Sequence, residues 1–211
     1  MNNNIRVDFR LYLISDRRLL ADDNSLFAAI EKALKGGVKA IQFREKDLVT
    51  RSLLRMAYSL RELTSEYGAK LFINDRVDIA MAVDADGVHL GGQSMPAYAA
   101  RKAAGEALLI GVSAHSITDA IKAEEEGADF ITLGPIFETP SKIKYGQSLG
   151  PGLLSGARGK ISIPVFAIGG IKKERVDTVL ESGATGIALI SAILGSEDIR
   201  SNTEEFMRLL K

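Results

Sequence analysis

The strongest constraint on this chain is a rhythm: short apolar runs alternate with longer amphipathic ones along its whole length. The short runs read as buried strands at Leu11–Ser15, Ala40–Arg44, Leu71–Asn74, Gly87–Leu90, Leu109–Val112, Phe130–Leu133, Val165–Ile168 and Gly186–Ile190. The longer ones read as helices at Leu26–Lys35, Arg51–Tyr67, Val77–Val83, Ala97–Ala104, Ile117–Glu126 and Arg175–Ser182, with Thr203–Leu210 closing the chain. In Arg51–Tyr67 the apolar residues Leu53, Leu54, Ala57, Leu60 and Leu63 recur close to the helical period, and Gly68 suits its stop. The pieces GGVKAIQF, DADGVHL, EGADFITL and SGATGIAL repeat one theme, a small turn followed by a buried strand. Strands that alternate with helices in this way predict an α/β fold, a (β/α)8 TIM barrel, formed by residues 1–211 as a single domain. An open doubly wound sheet is the alternative, but its first turn needs a glycine-rich loop. The first turn here, SDRRLLADDN, has none.

Composition narrows the chemistry. There is no Cys, so disulfides, thiolate metal sites and cysteine nucleophiles are excluded. His89 and His115 are the only histidines, which excludes a multi-histidine zinc site. Lys and Arg together number 27, as do Asp and Glu, so no strongly basic nucleic-acid face is indicated. Trp is absent and aromatics are 6%, which weakens a base-stacking surface. The N-terminal apolar stretch is too short and interrupted for a signal peptide, and no run is long enough to span a membrane. The expectation is a soluble, cytoplasmic protein without nucleic-acid or membrane partners.

In such a barrel chemistry gathers where strands end. Gln42, Arg44 and Lys46 alternate, so on extended backbone they share one direction and suit a phosphate or diphosphate. A solvated charge run is the plain alternative. Glu45 and Asp47 would point elsewhere and hold the cations in place. Asn74-Asp75 suits Mg²⁺ through oxygen, or Asp75 caps the next helix. Gly169-Gly170 and Ser191-Ala192 follow the last two strands, where barrels often cradle phosphate with backbone N–H groups. His89 reads as a barrel-interior residue. His115, beyond Ser113 at a strand end, is the better candidate for proton transfer. Lys142 lies in the longest loop, about Gly134 to Pro151, and would close over an anion or remain a surface lysine. Two anion sites in one barrel fit the joining or cleaving of a phosphorylated substrate and a diphosphate, or an isomerase of one phosphorylated molecule.

The motifs QFREKD, INDRVDIA, DGVHLG, GVSAHS, GADFITLGPIFETPSK, IPVFAIGGI and GATGIALISAI, in this order, resemble the thiamine phosphate synthase/TenI family of small TIM barrels over about Leu11 to Leu210. The resemblance implies synthesis of thiamine phosphate and pyrophosphate from two small phosphorylated substrates. These are 4-amino-5-hydroxymethyl-2-methylpyrimidine diphosphate and a thiazole phosphate or its carboxylate. It implies that Arg44 and Lys46 bind the diphosphate, helped by Gln42, Asn74 and Lys142, and that Asp75 holds Mg²⁺. Ser113 would lie at the pyrimidine and leaving group. Thr139 and Ser141 match the hydroxyl residues of the family's T-x-T-K loop, Ser141 replacing a threonine. Gly170, Ile190 and Ser191 would cradle the thiazole phosphate. A homodimer is a family-level expectation.

One position departs. Synthases of this family usually read HLGQED after the fourth strand, the last Asp helping to bind Mg²⁺; here Ser94 takes that place in HLGGQS. A hydroxyl is a poorer Mg²⁺ ligand than a carboxylate. The family also contains TenI-type tautomerases that aromatise a thiazole carboxylate phosphate, with the residue matching His115 moving the proton. They often lose parts of the Gln-x-Arg-x-Lys and Asn-Asp motifs, both intact here, which favours synthase. A non-catalytic binder of thiamine intermediates is the remaining alternative.

Overall fold

The computed structural model describes residues 7–139 and 148–211. Ser141 and Lys142 lie outside the described residues. The strands are β1 Leu11–Ile14, β2 Ala40–Phe43, β3 Lys70–Asn74, β4 Gly87–Leu90, β5 Leu109–Ala114, β6 Phe130–Leu133, β7 Val165–Ile168 and β8 Gly186–Leu189. Each pairs in parallel with the next, and β8 pairs with β1, closing the barrel. The helices are α1 Asp23–Lys35, α2 Thr50–Glu66, α3 Val77–Ala82, α4 Ala97–Ala104, α5 Ile117–Glu125, α6 Gly152–Ala157, α7 Val176–Glu181, α8 Ser191–Leu194 and α9 Ile199–Leu209. The expected (β/α)8 architecture is therefore present. Among the described residues no helix is long and apolar enough to cross a membrane.

Two helices begin earlier than apolar periodicity suggests, because each starts at an aspartate cap and its first turn is mostly polar. Asp22 accepts the Ser25 N–H at 2.7 Å and starts α1. Asp198 accepts the Ser201 N–H at 3.0 Å and starts α9. An aspartate at such a position satisfies a donor the helix itself cannot.

Strand alternation separates two cores. Leu11, Leu13, Ile41, Leu71, Ile73, Val88, Ile110, Ile131, Ala167 and Ile187 belong to the layer between barrel and helices. Phe9, Tyr12, Phe72, Phe130 and Phe166 fill the barrel axis. The rings meet edge-on or offset, with centroids 5.1–6.2 Å apart. Register explains how so many rings fit: Phe72 pairs with Gly87, Phe130 with Gly111 and Phe166 with Gly186. A Cβ at Gly111 would lie 2.4 Å from the Phe130 ring, and one at Gly87 2.5 Å from Phe72. Each ring thus occupies the side-chain space of its neighbour.

The opposite rim is stapled twice in the same way. Asp86, just before β4, accepts the Leu71 N–H at 2.8 Å and Arg61 of α2 at 2.6 Å. Asp129, just before β6, accepts the Ile110 N–H at 2.7 Å and Arg101 of α4 at 2.6 Å. The small turns that recur in the sequence carry these staples. The C-terminal rim is left for polar groups with other partners.

Candidate active site

The inward-facing series becomes polar as the strands climb: Ala40 to Gln42, Phe72 to Asn74, Gly87 to His89, Leu109 to Ser113 and Phe130 to Thr132. Two connected groups result.

The first links β2, β3 and the turn after β4. Gln42 Nε2 donates to Asn74 Oδ1 at 3.0 Å, and Asn74 Nδ2 donates to Asp75 Oδ2 at 2.7 Å. Ser94 Oγ donates to Asp75 Oδ1 and accepts the Gly91 N–H at 2.6 Å. Lys46 Nζ lies 3.9 Å from Asp75 Oδ2. The sequence left Asp75 between a helix cap and a ligand-facing carboxylate. Asp75 has φ +62, and the helix cap is Arg76, with no side-chain cap bond. The left-handed backbone turns the Asp75 carboxylate towards Asn74 and Ser94 instead of the helix N–H groups.

Arg44 continues this series. Its backbone N–H donates to Ser15 Oγ at 2.9 Å. Among the described residues no carboxylate forms an ion pair with its guanidinium, although its charge is felt at Asp16 and His89. A cavity of ≈ 200 Å³ lies against Asp16, Arg18, Arg44, Glu45, Lys46 and Asp47. Glu45 and Asp47 do not hold Arg44 and Lys46 as expected. Glu45 is 5% exposed and accepts from the Ser15 hydroxyl at 2.5 Å and the Arg17 N–H at 3.2 Å. Asp47 accepts from Arg17 Nη2 at 2.6 Å. Both carboxylates tie the chain after β1 to β2, and the cations at 44 and 46 are left for other partners. Burial pushes the Glu45 carboxyl above its ordinary range, against the Ser15 and Arg17 bonds that favour the anion.

The second group lies on the barrel axis. Tyr12 Oη is 3.4 Å from His89 Nδ1, and His89 Nε2 is 3.0 Å from Ser113 Oγ. Thr132 Oγ1 donates to Ser113 Oγ at 3.4 Å. Burial pushes the His89 imidazole down to about 3, so it is neutral at physiological pH, and holds the Tyr12 phenol well above its usual range. A protonated Tyr12 donates to Nδ1, so Nε2 carries the ring proton and donates to Ser113. Ser113, accepting from His89 and Thr132, keeps its own proton for a ligand. His89 is interior, as expected. Tyr12 was not legible as its partner, because that contact crosses the closed barrel; Thr132 reaches Ser113 from the neighbouring strand β6.

His115 directly follows β5 and is exposed. Its Nδ1 donates to the Gly134 carbonyl at 2.6 Å. A carbonyl only accepts, so the neutral ring presents Nε2 as a base. Thr139 is part-buried at the edge of the described loop.

After β7, Gly169 and Gly170 have φ +99 and +61. A Cβ on Gly170 would meet the Glu138 carbonyl at 2.4 Å, and one on Gly169 would meet Pro135 at 2.7 Å. The glycines thus admit the root of the long loop. Register of Ile168 with Ala188 places this turn beside Ile190 and Ser191, which follow β8. The helix behind that turn, α8, is a single turn, so a cradle here rests on local N–H groups.

The oxygen donors facing one another near Asp75 are its own carboxylate and the Ser94 hydroxyl. Among the described residues no group of three or more His, Cys, Asp or Glu side chains converges. One carboxylate with an adjacent hydroxyl does not make an all-protein cage. It does fit an ion that keeps several waters and is shared with substrate phosphates, which is the usual Mg²⁺ pattern.

Fold and rim together define a class: a closed (β/α)8 barrel whose mouth carries an arginine with no ion-pair partner among the described residues, a lysine–aspartate pair and paired glycines. The pattern of the thiamine monophosphate synthase family matches residues 11–193, and the chain belongs to that family. A protein of Geobacter sulfurreducens is 51% identical over 97% of this chain and 96% of its own length. The thiamine-phosphate synthase of Clostridium novyi is 45% identical over 92% of this chain and 95% of its own. The solved thiamine phosphate pyrophosphorylase from Pyrococcus furiosus superposes with a TM-score of 0.88 at 42% identity, covering 98% of each chain.

Proposed function

We propose that this chain is a thiamine-phosphate synthase. It joins 4-amino-5-hydroxymethyl-2-methylpyrimidine diphosphate to thiazole phosphate, giving thiamine phosphate and pyrophosphate, or to the thiazole carboxylate phosphate, in which case carbon dioxide is released as well. The observation that carries this reading is the unbroken contact series Gln42–Asn74–Asp75, with Lys46 and Ser94 on the same carboxylate.

The roles follow from charge and direction. Arg44 and Lys46 bind the diphosphate and meet the charge that grows on pyrophosphate as the C–O bond breaks. Asn74 orients Asp75. Asp75, with Ser94 beside it, would hold Mg²⁺, which when bound neutralises diphosphate charge. Gln42 Oε1 is buried without a partner among the described residues, so a donor on the bound pyrimidine would satisfy it. Ser113 offers its hydroxyl proton to the pyrimidine or leaving group. Gly170, Ile190 and Ser191 hold the thiazole phosphate through backbone groups. Thr139, Ser141 and Lys142 are assigned to substrate binding by the family resemblance, the last two lying outside the described residues. The bond to pyrophosphate breaks first, its electrons leaving with pyrophosphate. The thiazole nitrogen lone pair then forms the new C–N bond to the pyrimidine-stabilised carbocation. The protein supplies position and electrostatics, and no side chain becomes covalently attached.

A second reading, tautomerisation of a thiazole carboxylate phosphate, is favoured by His115 alone, whose Nδ1–H bond exposes a basic Nε2. His115→Ala separates the two. Synthesis needs no proton transfer there, so its rate is expected to fall by less than about tenfold. A loss of about 10²–10⁴-fold, the scale of general acid–base catalysis, would instead mark His115 as the working group.

A further inference from the structure

Arg175, just before α7, touches both the glycine pair and the root of the long loop. Its Nη1 donates to the Gly170 carbonyl at 2.6 Å. Its guanidinium lies over the Phe137 ring, 4.5 Å from the centroid. Phe137 donates its N–H to the Gly169 carbonyl at 3.0 Å, and Ile136 donates to the Ile168 carbonyl at 2.9 Å. From the far end of the loop, Leu149 and Gly150 donate to the Pro135 and Ile136 carbonyls, each at 2.9 Å. The segment 135–137 is thus bonded on both edges, and Arg175 covers its aromatic face.

Peptide planarity converts these bonds into N–H directions. The C=O and N–H of one peptide unit point opposite ways. The Gly169 carbonyl is held by Phe137, so the Gly170 N–H is turned away from the loop root. The Gly170 carbonyl is held by Arg175, so the Ile171 N–H is turned away from Arg175. Left-handed backbone at Gly169 and Gly170 permits this turn, and successive N–H groups in such a turn form a concavity suited to an anion.

We propose that Arg175 is a positioning residue for the phosphate cradle. It fixes the Gly170–Ile171 peptide so that the Ile171 N–H meets the thiazole phosphate, and it locks the root of the long loop to that turn. This rests on the thiazole-phosphate reading of the turns after β7 and β8. Arg175 acts through a carbonyl and a ring, not by touching the phosphate. Lysine would keep the charge and a carbonyl bond but lose the planar stack.

The test uses the full chain with Arg175→Ala and Arg175→Lys. KM is measured for each substrate separately, with calorimetric titration of thiazole phosphate and a melting curve. For Arg175→Ala, KM and Kd for thiazole phosphate are expected to rise about tenfold or more, the scale of one charge-assisted hydrogen bond and a cation–π contact. KM for the pyrimidine diphosphate should stay within about twofold, and kcat at saturating thiazole phosphate within about threefold. Arg175→Lys should recover part of the loss. Unchanged thiazole phosphate binding, or equal rises in both KM values, would overturn the proposal. If Arg175→Ala does not fold, Phe137→Leu removes only the ring face. It should give a smaller rise confined to thiazole phosphate, and no rise overturns the proposal. A wild-type protein that binds thiazole phosphate without making thiamine phosphate defeats the synthase reading while the Arg175 comparison still decides this one. A wild-type protein that does not bind it overturns both.

Discussion

Arg44→Ala is expected to lower kcat/KM for the pyrimidine diphosphate by about 10²–10³-fold, the usual cost of one preorganised group facing developing charge. The thiazole phosphate KM should move by less than about threefold, because the glycine turn lies on the other side of the mouth. The melting temperature should hardly change, since the structural bond at this position uses the backbone: the Arg44 N–H donates to Ser15, and alanine keeps that N–H. The Ser15–Glu45–Arg17 contacts that pin the neighbouring chain also remain. Steady-state kinetics with each substrate varied in turn, beside a thermal melt, checks all three statements. Equal and small effects on both substrates would remove Arg44 from the diphosphate site.

Asp75→Asn is expected to cost about 10²-fold or more in turnover at moderate Mg²⁺, because metal charge stabilisation of a leaving group is worth several kcal/mol. Part of the loss should return at high Mg²⁺. Asparagine is nearly the same size, but one of its two oxygen acceptors becomes a donor and the anionic charge disappears. The converse substitution is as informative. Ser94→Asp places a second carboxylate beside Asp75 and should lower the Mg²⁺ concentration for half-maximal rate by about tenfold, since ligand charge tunes affinity. At low Mg²⁺ it should also weaken binding of the diphosphate by repulsion. A Mg²⁺ titration of the three proteins distinguishes these effects; superimposable curves would exclude Asp75 as the metal-side residue.

The barrel was legible because parallel strands covered on both sides read as plain apolar runs. The runs at Phe130–Leu133, Val165–Ile168 and Gly87–Leu90 fall where the strands are. Helix starts were less legible, because Asp22 caps a helix that opens on polar residues and Asp198 caps one whose lone apolar Ile199 is followed by Arg, Ser and Asn. Position at strand ends picked out Gln42, Arg44, Asn74, Asp75 and Ser113 before any contact was known. What sequence could not show was lateral. Tyr12 meets His89 only because β1 and β4 face one another across a closed barrel, and His89 meets Ser113 through the pairing of the neighbouring strands β4 and β5. Glu45 alternates correctly with Arg44 and Lys46, yet its partners lie on the chain after β1. Arg175 carries no signal in its own neighbourhood, since its importance lies in a carbonyl and a ring brought there by two different loops.

The most direct test of the central claim is product formation by the unaltered protein, with pyrimidine diphosphate and thiazole phosphate supplied together. Thiamine phosphate and pyrophosphate are followed in parallel, in Mg²⁺ and in EDTA. Equal amounts of both products are expected in Mg²⁺ and a collapse of both in EDTA, with Asp75 serving as the metal-side carboxylate beside Ser94. No coupling in Mg²⁺, under conditions where a control synthase works, would contradict the synthase reading.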